Sequence, residues 1–301
     1  MGNTLSLSRS LSLSHVREIP CSYGYGVCVA MKHGLIIVSS QPGLLCMYSL
    51  DDGSLVRSVG GAGSGAGKFS FICDGLCVSP GGGSVLVAER YNNRVQEVAI
   101  VDGSWVRFVG EGVLKWPQYV DCNADVIAVS ETGLHRISVL SWHDGTLLTQ
   151  FDSYGKGPGQ LRLPRGVRLL GDGSGLIVAD SNNDRLCVFG LTGEPVSTIG
   201  SKEQGLSFPY DVLECASDGG FVVANCGPRN LVKVCRAGEV LDTHSKCGKD
   251  EEEFNGPTAL ATLPGGGLVI RDGAKVHVFH DLALRATWVS ACVTVTRGKG
   301  A

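Results

Sequence analysis

Tyrosine, arginine, aspartate and glutamine side chains gather at one recurrent point of the chain, just behind a proline where a short apolar run begins. Gln118 and Tyr119 follow Pro117, Arg165 follows Pro164, Tyr210 and Asp211 follow Pro209, and Thr258 follows Pro257. Tyr25 and Asp74 hold the corresponding places in two earlier segments. Such a mixture suits a binding rim better than a reaction centre. The histidines (His15, His33, His135, His143, His244, His277 and His280) do not converge on one segment, so no zinc-type ligand set is expected. Cys73 and Cys77 lie four apart, without the knuckle spacing or a second pair nearby, and are read as packing. GSGAGK at Gly63–Lys68 resembles a phosphate loop only superficially, because the motif's spacing is missing. No catalytic residue, metal ligand or cofactor is assigned.

The elements that must position these groups follow from composition. Glycine supplies 43 of 301 residues, about double ordinary usage, while charged residues are only 18%. That bias disfavours helices, and a hydrophobic fraction of 43% is ample for a core. No apolar run approaches the length of a membrane-spanning helix. The net charge of −3 does not favour a nucleic-acid binder. Twelve cysteines, several alternating within strand-like runs, fit reduced intracellular thiols.

A repeat of about 47 residues organises the chain. Six apolar runs end on a small polar or acidic residue, at Ser39, Glu89, Ser130, Asp180, Asn225 and Asp272. Turn glycines recur at Gly53, Gly103, Gly145, Gly193 and Gly238. The copy from Pro164 to Gly200 reads as four strands: GVRLL, LIVAD, RLCVF and PVSTI. Four short antiparallel strands make one propeller blade, which cannot bury its faces alone and must stack radially on its neighbours. The fold class expected is all-β, a six-bladed β-propeller of four-stranded antiparallel blades. In such a ring Asp74 and Asp211 sit in opposite blades, too far apart for an acid–base pair.

The order proline, apolar strand, LIVAD-type run, Asn-rich turn with arginine, hydrophobic strand, turn glycine and Gly-rich linker resembles NHL repeats. The resemblance covers about residues 21–290, and copies two and four match best. Copy three carries what reads as a shortened turn at Glu131-Thr132-Gly133. The resemblance implies a protein-binding scaffold, with substrate recognition in ubiquitin-dependent turnover as one role. The 301 residues contain no RING-type cysteine pattern. Arg94 and Arg185 are expected to pair with their own blades' acids, such as Glu89 and Asp180, or with turn carbonyls.

The domain reading is a tail over 1–20, a propeller over 21–296 and a short tail over 297–301. Met-Gly-Asn-Thr-Leu-Ser fits N-myristoylation at Gly2, with a transit peptide or a plain tail as competing readings. One acyl chain binds membrane marginally, so the contact would be reversible. Ser12–Ile19 and Leu284–Val295 could each supply the outer strand of the last blade, and the sequence leaves that choice open. The function expected is a cytoplasmic, monomeric, non-catalytic scaffold that binds protein partners through Asp74, Gln118, Tyr119, Arg165, Tyr210 and Asp211. Two alternatives stand beside it: a metal-dependent hydrolase or lyase at the channel mouth, and RNA binding through a face carrying Arg162, Arg165 and Arg168.

Overall fold

The computed structural model describes residues 15–22, 24–69, 72–215, 219–227, 231–244, 254, 256–263 and 266–279. Gly2 and the segment 284–295 lie outside them. The first strand, β1 (His15–Pro20), stands apart from the four that follow it. Those are β2 (Val27–Ala30), β3 (Leu35–Ser40), β4 (Leu44–Ser49) and β5 (Leu55–Gly60), which form the first sheet in that order. The second sheet is β6 (Ile72–Val78), β7 (Ser84–Glu89), β8 (Arg94–Ala99) and β9 (Trp105–Val109). The third is β10 (Tyr119–Cys122), β11 (Val126–Glu131), β12 (Arg136–Ser141) and β13 (Leu147–Asp152).

The fourth sheet comprises β14 (Pro164–Leu169), β15 (Leu176–Asp180), β16 (Arg185–Phe189) and β17 (Pro195–Ile199), close to the four runs read from the sequence. The fifth comprises β18 (Pro209–Glu214), β19 (Phe221–Asn225), β20 (Leu231–Val234) and β21 (Val240–His244). In the sixth, β22 (Pro257–Thr262), β23 (Leu268–Asp272) and β24 (Lys275–Phe279) are completed by β1. Every pairing is antiparallel, and the inner strands touch in cyclic order from β2 through β6, β10, β14 and β18 to β22 and back. This is a six-bladed β-propeller.

The second strands are continuous Leu/Ile/Val runs because both of their faces are covered. All six residues of β3 and all six of β7 are buried. Ile36 and Val38 pack towards the sixth blade, while Leu35 and Ile37 pack towards the second. Six apolar clusters result, one in each joint between neighbouring blades. The outer strands face water: none of the six residues of β5 is buried, and four of the five of β17 are exposed.

Turn chemistry sets the register. Gly53, Gly103, Gly145, Gly193 and Gly238 all adopt φ between 73° and 92°, a region that costs glycine nothing. Ahead of them, Asp52, Asp102 and Asp144 accept the backbone N–H of Ser54, Ser104 and Thr146 at 2.9, 2.9 and 3.1 Å.

Ring closure uses the amino-terminal strand. Ile19 pairs with Val276 and is buried between the sixth and first blades. Arg17 donates to the carbonyls of Leu50 and Asp51, at 3.2 and 2.6 Å. Fully buried Arg271 on β23 reaches back to the Ser22 carbonyl at 2.7 Å and the Gly24 carbonyl at 3.2 Å.

The third blade corrects one expectation. Its turn is not shortened: Thr132–Leu134 makes the same three-residue 3₁₀ turn as Arg90–Asn92 and Ser181–Asn183. His135 takes the left-handed position held elsewhere by Asn93 and Asp184, with φ of 58° against 55° and 53°.

Candidate functional site

A polar frame supports one end of the propeller. Glu89, Glu131 and Asp180, the last residues of β7, β11 and β15, are all 0% exposed, and in the third blade that place falls one residue beyond Ser130. The first residue of each third strand answers them. Arg94 donates to Glu89 at 2.9 Å, Arg136 to Glu131 at 2.9 and 2.6 Å, and Arg185 to Asp180 at 2.8 Å. The same acids hold the chain as it enters their blades. Glu131 accepts the Lys115 N–H at 2.6 Å, and Asp180 accepts the Arg162 N–H at 2.7 Å. Asn225 does the same for Ser207 at 2.7 Å. Burial pushes the Glu89 carboxyl up, against the pull of Arg94 and Asn92.

A second set of bonds clasps one blade to the next. Asn93, His135 and Asp184 accept the N–H groups of Trp116, Leu163 and Phe208, at 2.9, 3.0 and 2.7 Å. Each donor stands directly before a proline and has a positive φ, of 51°, 48° and 53°. That conformation costs a non-glycine residue about 1–2 kcal/mol, and the clasp offsets it.

The clasps, the 3₁₀ turns and the blade linkers share one end of the ring, and aromatic and guanidinium groups crown it. Trp116 is 47% exposed, Tyr91 59% and Tyr154 62%. Arg165 lies over the Tyr210 ring at 4.0 Å and the Phe208 ring at 5.4 Å, while Arg162 lies over Tyr154 at 5.6 Å. A groove of about 480 Å³ beside Trp116 is lined by Asn93, Gly112, Leu114, Lys115 and Leu134.

The residues expected at the rim divide between surface and interior. Arg165 and Tyr210 meet on the face. Gln118 is buried at 8% exposure, and Tyr119 at 2% turns into the channel. There the Tyr119 hydroxyl donates to the Thr258 carbonyl of the opposite blade at 3.2 Å, and the Thr258 hydroxyl donates to the Tyr25 carbonyl at 2.9 Å. Asp211 is wholly buried. Asp74 lies in β6, with its side chain outside the described residues. Sequence reasoning misses Trp116, Tyr91, Tyr154 and Phe208; for Trp116 and Phe208 the signal is their place directly before a repeat proline, whereas Tyr91 and Tyr154 carry no such mark.

Arg168 also parts from Arg162 and Arg165. The fifth residue of β14, it points down the channel and donates to Asp211 at 2.6 Å and to the Leu260 carbonyl at 3.1 Å. Asp121 stands 4.0 Å from it and accepts the Leu169 N–H at 2.8 Å. Burial pushes both carboxyls up, with Arg168 pulling the other way. Beyond this pair a cavity of about 590 Å³ opens on the far face, walled by Cys28, Cys77, Asp121, Arg168, Glu214 and Thr262 among others. Among the described residues, no group of three or more His, Cys, Asp or Glu side chains is arranged to hold a metal ion.

No protein-family model matches the chain, and no curated protein matches it significantly.

Proposed function

We propose that this propeller is a non-catalytic interaction module whose turn-and-linker face takes a protein partner. The arrangement of repeat, Asn-rich turn and linker supports an NHL-like reading of that role. Arg165 stacked on Tyr210, on the same face as exposed Trp116 and Tyr154, carries the reading. Tryptophan, tyrosine and arginine are enriched among the residues that dominate protein-interface binding energy, the aromatic rings because they contribute large contact area at low entropic cost and arginine because its planar guanidinium both stacks and hydrogen-bonds. The polar frame and clasps fix the backbone beneath them, so the face is organised before a partner arrives. The buried acids of the rim act in this role as scaffolding.

Affinity purification with the wild-type chain and a Trp116→Ala/Tyr154→Ala/Arg165→Ala variant tests it, in nuclease-treated lysate. Partners lost from the variant and kept by a Val196→Ala control on the outer strand support the reading. Identical partner sets would overturn it. Partners that vanish on nuclease treatment would favour the RNA alternative.

A further inference from the structure

Three thiols lie on the inner strands of successive blades: Cys28 on β2, Cys77 on β6 and Cys122 on β10. Cys77 and Cys122 come closest, with their sulfurs 3.3 Å apart and the Cys77 thiol placed to donate to Cys122. Both are reduced. The strands beneath them touch main chain to main chain: a Cβ built on Gly75 would lie 2.5 Å from the Tyr119 Cα. Cys77 borders the open cavity, and Cys122 beside it is only half-buried. Packing accounts for Cys28, whose thiol burial pushes up to about 12. Cys77 and Cys122 also pack in the apolar joint between the second and third blades, and what sets them apart is the close approach of their sulfurs across that joint beside an open cavity.

We propose that Cys77 and Cys122 form a reversible dithiol–disulfide couple that ties the second blade to the third when a peroxide enters the cavity. Cys122 is the attacking sulfur: it is the more exposed of the two and receives the Cys77 hydrogen bond, whereas burial drives the Cys77 thiol well above its ordinary range. Its thiolate attacks one peroxide oxygen. The O–O bond breaks, hydroxide leaves and Cys122 becomes a sulfenic acid. The Cys77 sulfur then attacks the Cys122 sulfur, the S–O bond breaks, and water departs carrying the Cys77 proton. The proton first released by Cys122 neutralises the hydroxide. Two thiols thus give up two electrons and two protons, and one peroxide becomes two waters. Thiol–disulfide exchange reverses the bond.

The test treats the full reduced chain with hydrogen peroxide, alkylates the remaining thiols with iodoacetamide, and maps the digested peptides by mass. The expected product is a Cys77 peptide joined to a Cys122 peptide, two hydrogens lighter than the separate thiols and split again by dithiothreitol. Oxidation should raise the thermal midpoint of the wild type but not that of Cys122→Ser. Alkylated Cys77 and Cys122 in a sample whose exposed Cys226 is fully oxidised would overturn the proposal, as would a Cys73–Cys77 link in place of the expected one. The wild-type map decides even if the variant fails to fold.

Discussion

Arg168 of the fourth blade donates to Asp211 of the fifth across 2.6 Å, inside the channel wall. The same carboxylate oxygen accepts the Leu260 N–H of the sixth blade at 2.9 Å, so one ion pair joins three blades. Burial opposes the charge on Arg168, but Asp211 and Asp121 overcome it and raise its pKa. Arg168→Met would strand a buried carboxylate, and denaturant titration should show a loss of about 3–5 kcal/mol. The double variant Arg168→Met/Asp211→Leu should recover most of it. Wild-type stability in the single variant would remove the pair from the joint.

His135 couples the third blade to the fourth as a neutral ring, since its Nδ1 accepts the Leu163 N–H. Burial and then Arg162 lower its pKa below 6.5. A depressed histidine contributes stability above its unfolded pKa and loses it as pH falls through the folded value. The thermal midpoint should therefore drop more steeply below pH 6.5 in the wild type than in His135→Asn, which keeps both the acceptor and the left-handed conformation. Parallel pH curves would count against the clasp.

Ile19 closes the ring from within β1 and is 2% exposed. Ile19→Ala should cost about 2–5 kcal/mol in equilibrium unfolding. A chain starting at Cys21 should be cut by protease around β24 at concentrations that spare the intact form.

Asp144 illustrates turns that need their charge. Hydrogen bonds from the Thr146 backbone and hydroxyl lower its carboxyl to about 2, and Ser54 does the same for Asp52. A depressed carboxylate contributes stability above its unfolded pKa of 3.8 that fades as pH falls towards about 2. Carboxyl NMR should place both midpoints near 2, and Thr146→Val should move that of Asp144 upward while leaving Asp52 in place.

For the proposed partner face, Trp116→Ala should weaken binding about tenfold or more with the unfolding midpoint unchanged, as measured by titration calorimetry on an identified partner. A matched loss of affinity and stability would make Trp116 a structural residue.

Sequence periodicity made the blades legible because burial of both strand faces leaves a continuous apolar run, as in Leu176–Asp180, and positive φ leaves a glycine, as at Gly193. The acid–arginine frame was equally readable, since Glu89 with Arg94 and Asp180 with Arg185 sit at fixed offsets within one copy. The face is less legible. A residue's place in the repeat gives its strand position but not whether its side chain turns outward, so Arg165 and Tyr210 were found alongside buried Tyr119 and Asp211. Contacts across the ring, such as Tyr119 with Thr258, leave no local pattern at all.

Closure by β1 also sets a timetable. Arg271 and Cys21, which meet at the seam, are 250 residues apart. At ribosomal speeds of roughly 5–20 residues per second, β1 waits about 13–50 s for its partner to be made. Throughout that interval the nascent ring is a horseshoe with two raw strand edges, the state most open to mispairing with another copy. The seam thus joins residues made 250 positions apart, and the ring stays open until the second of them has been translated.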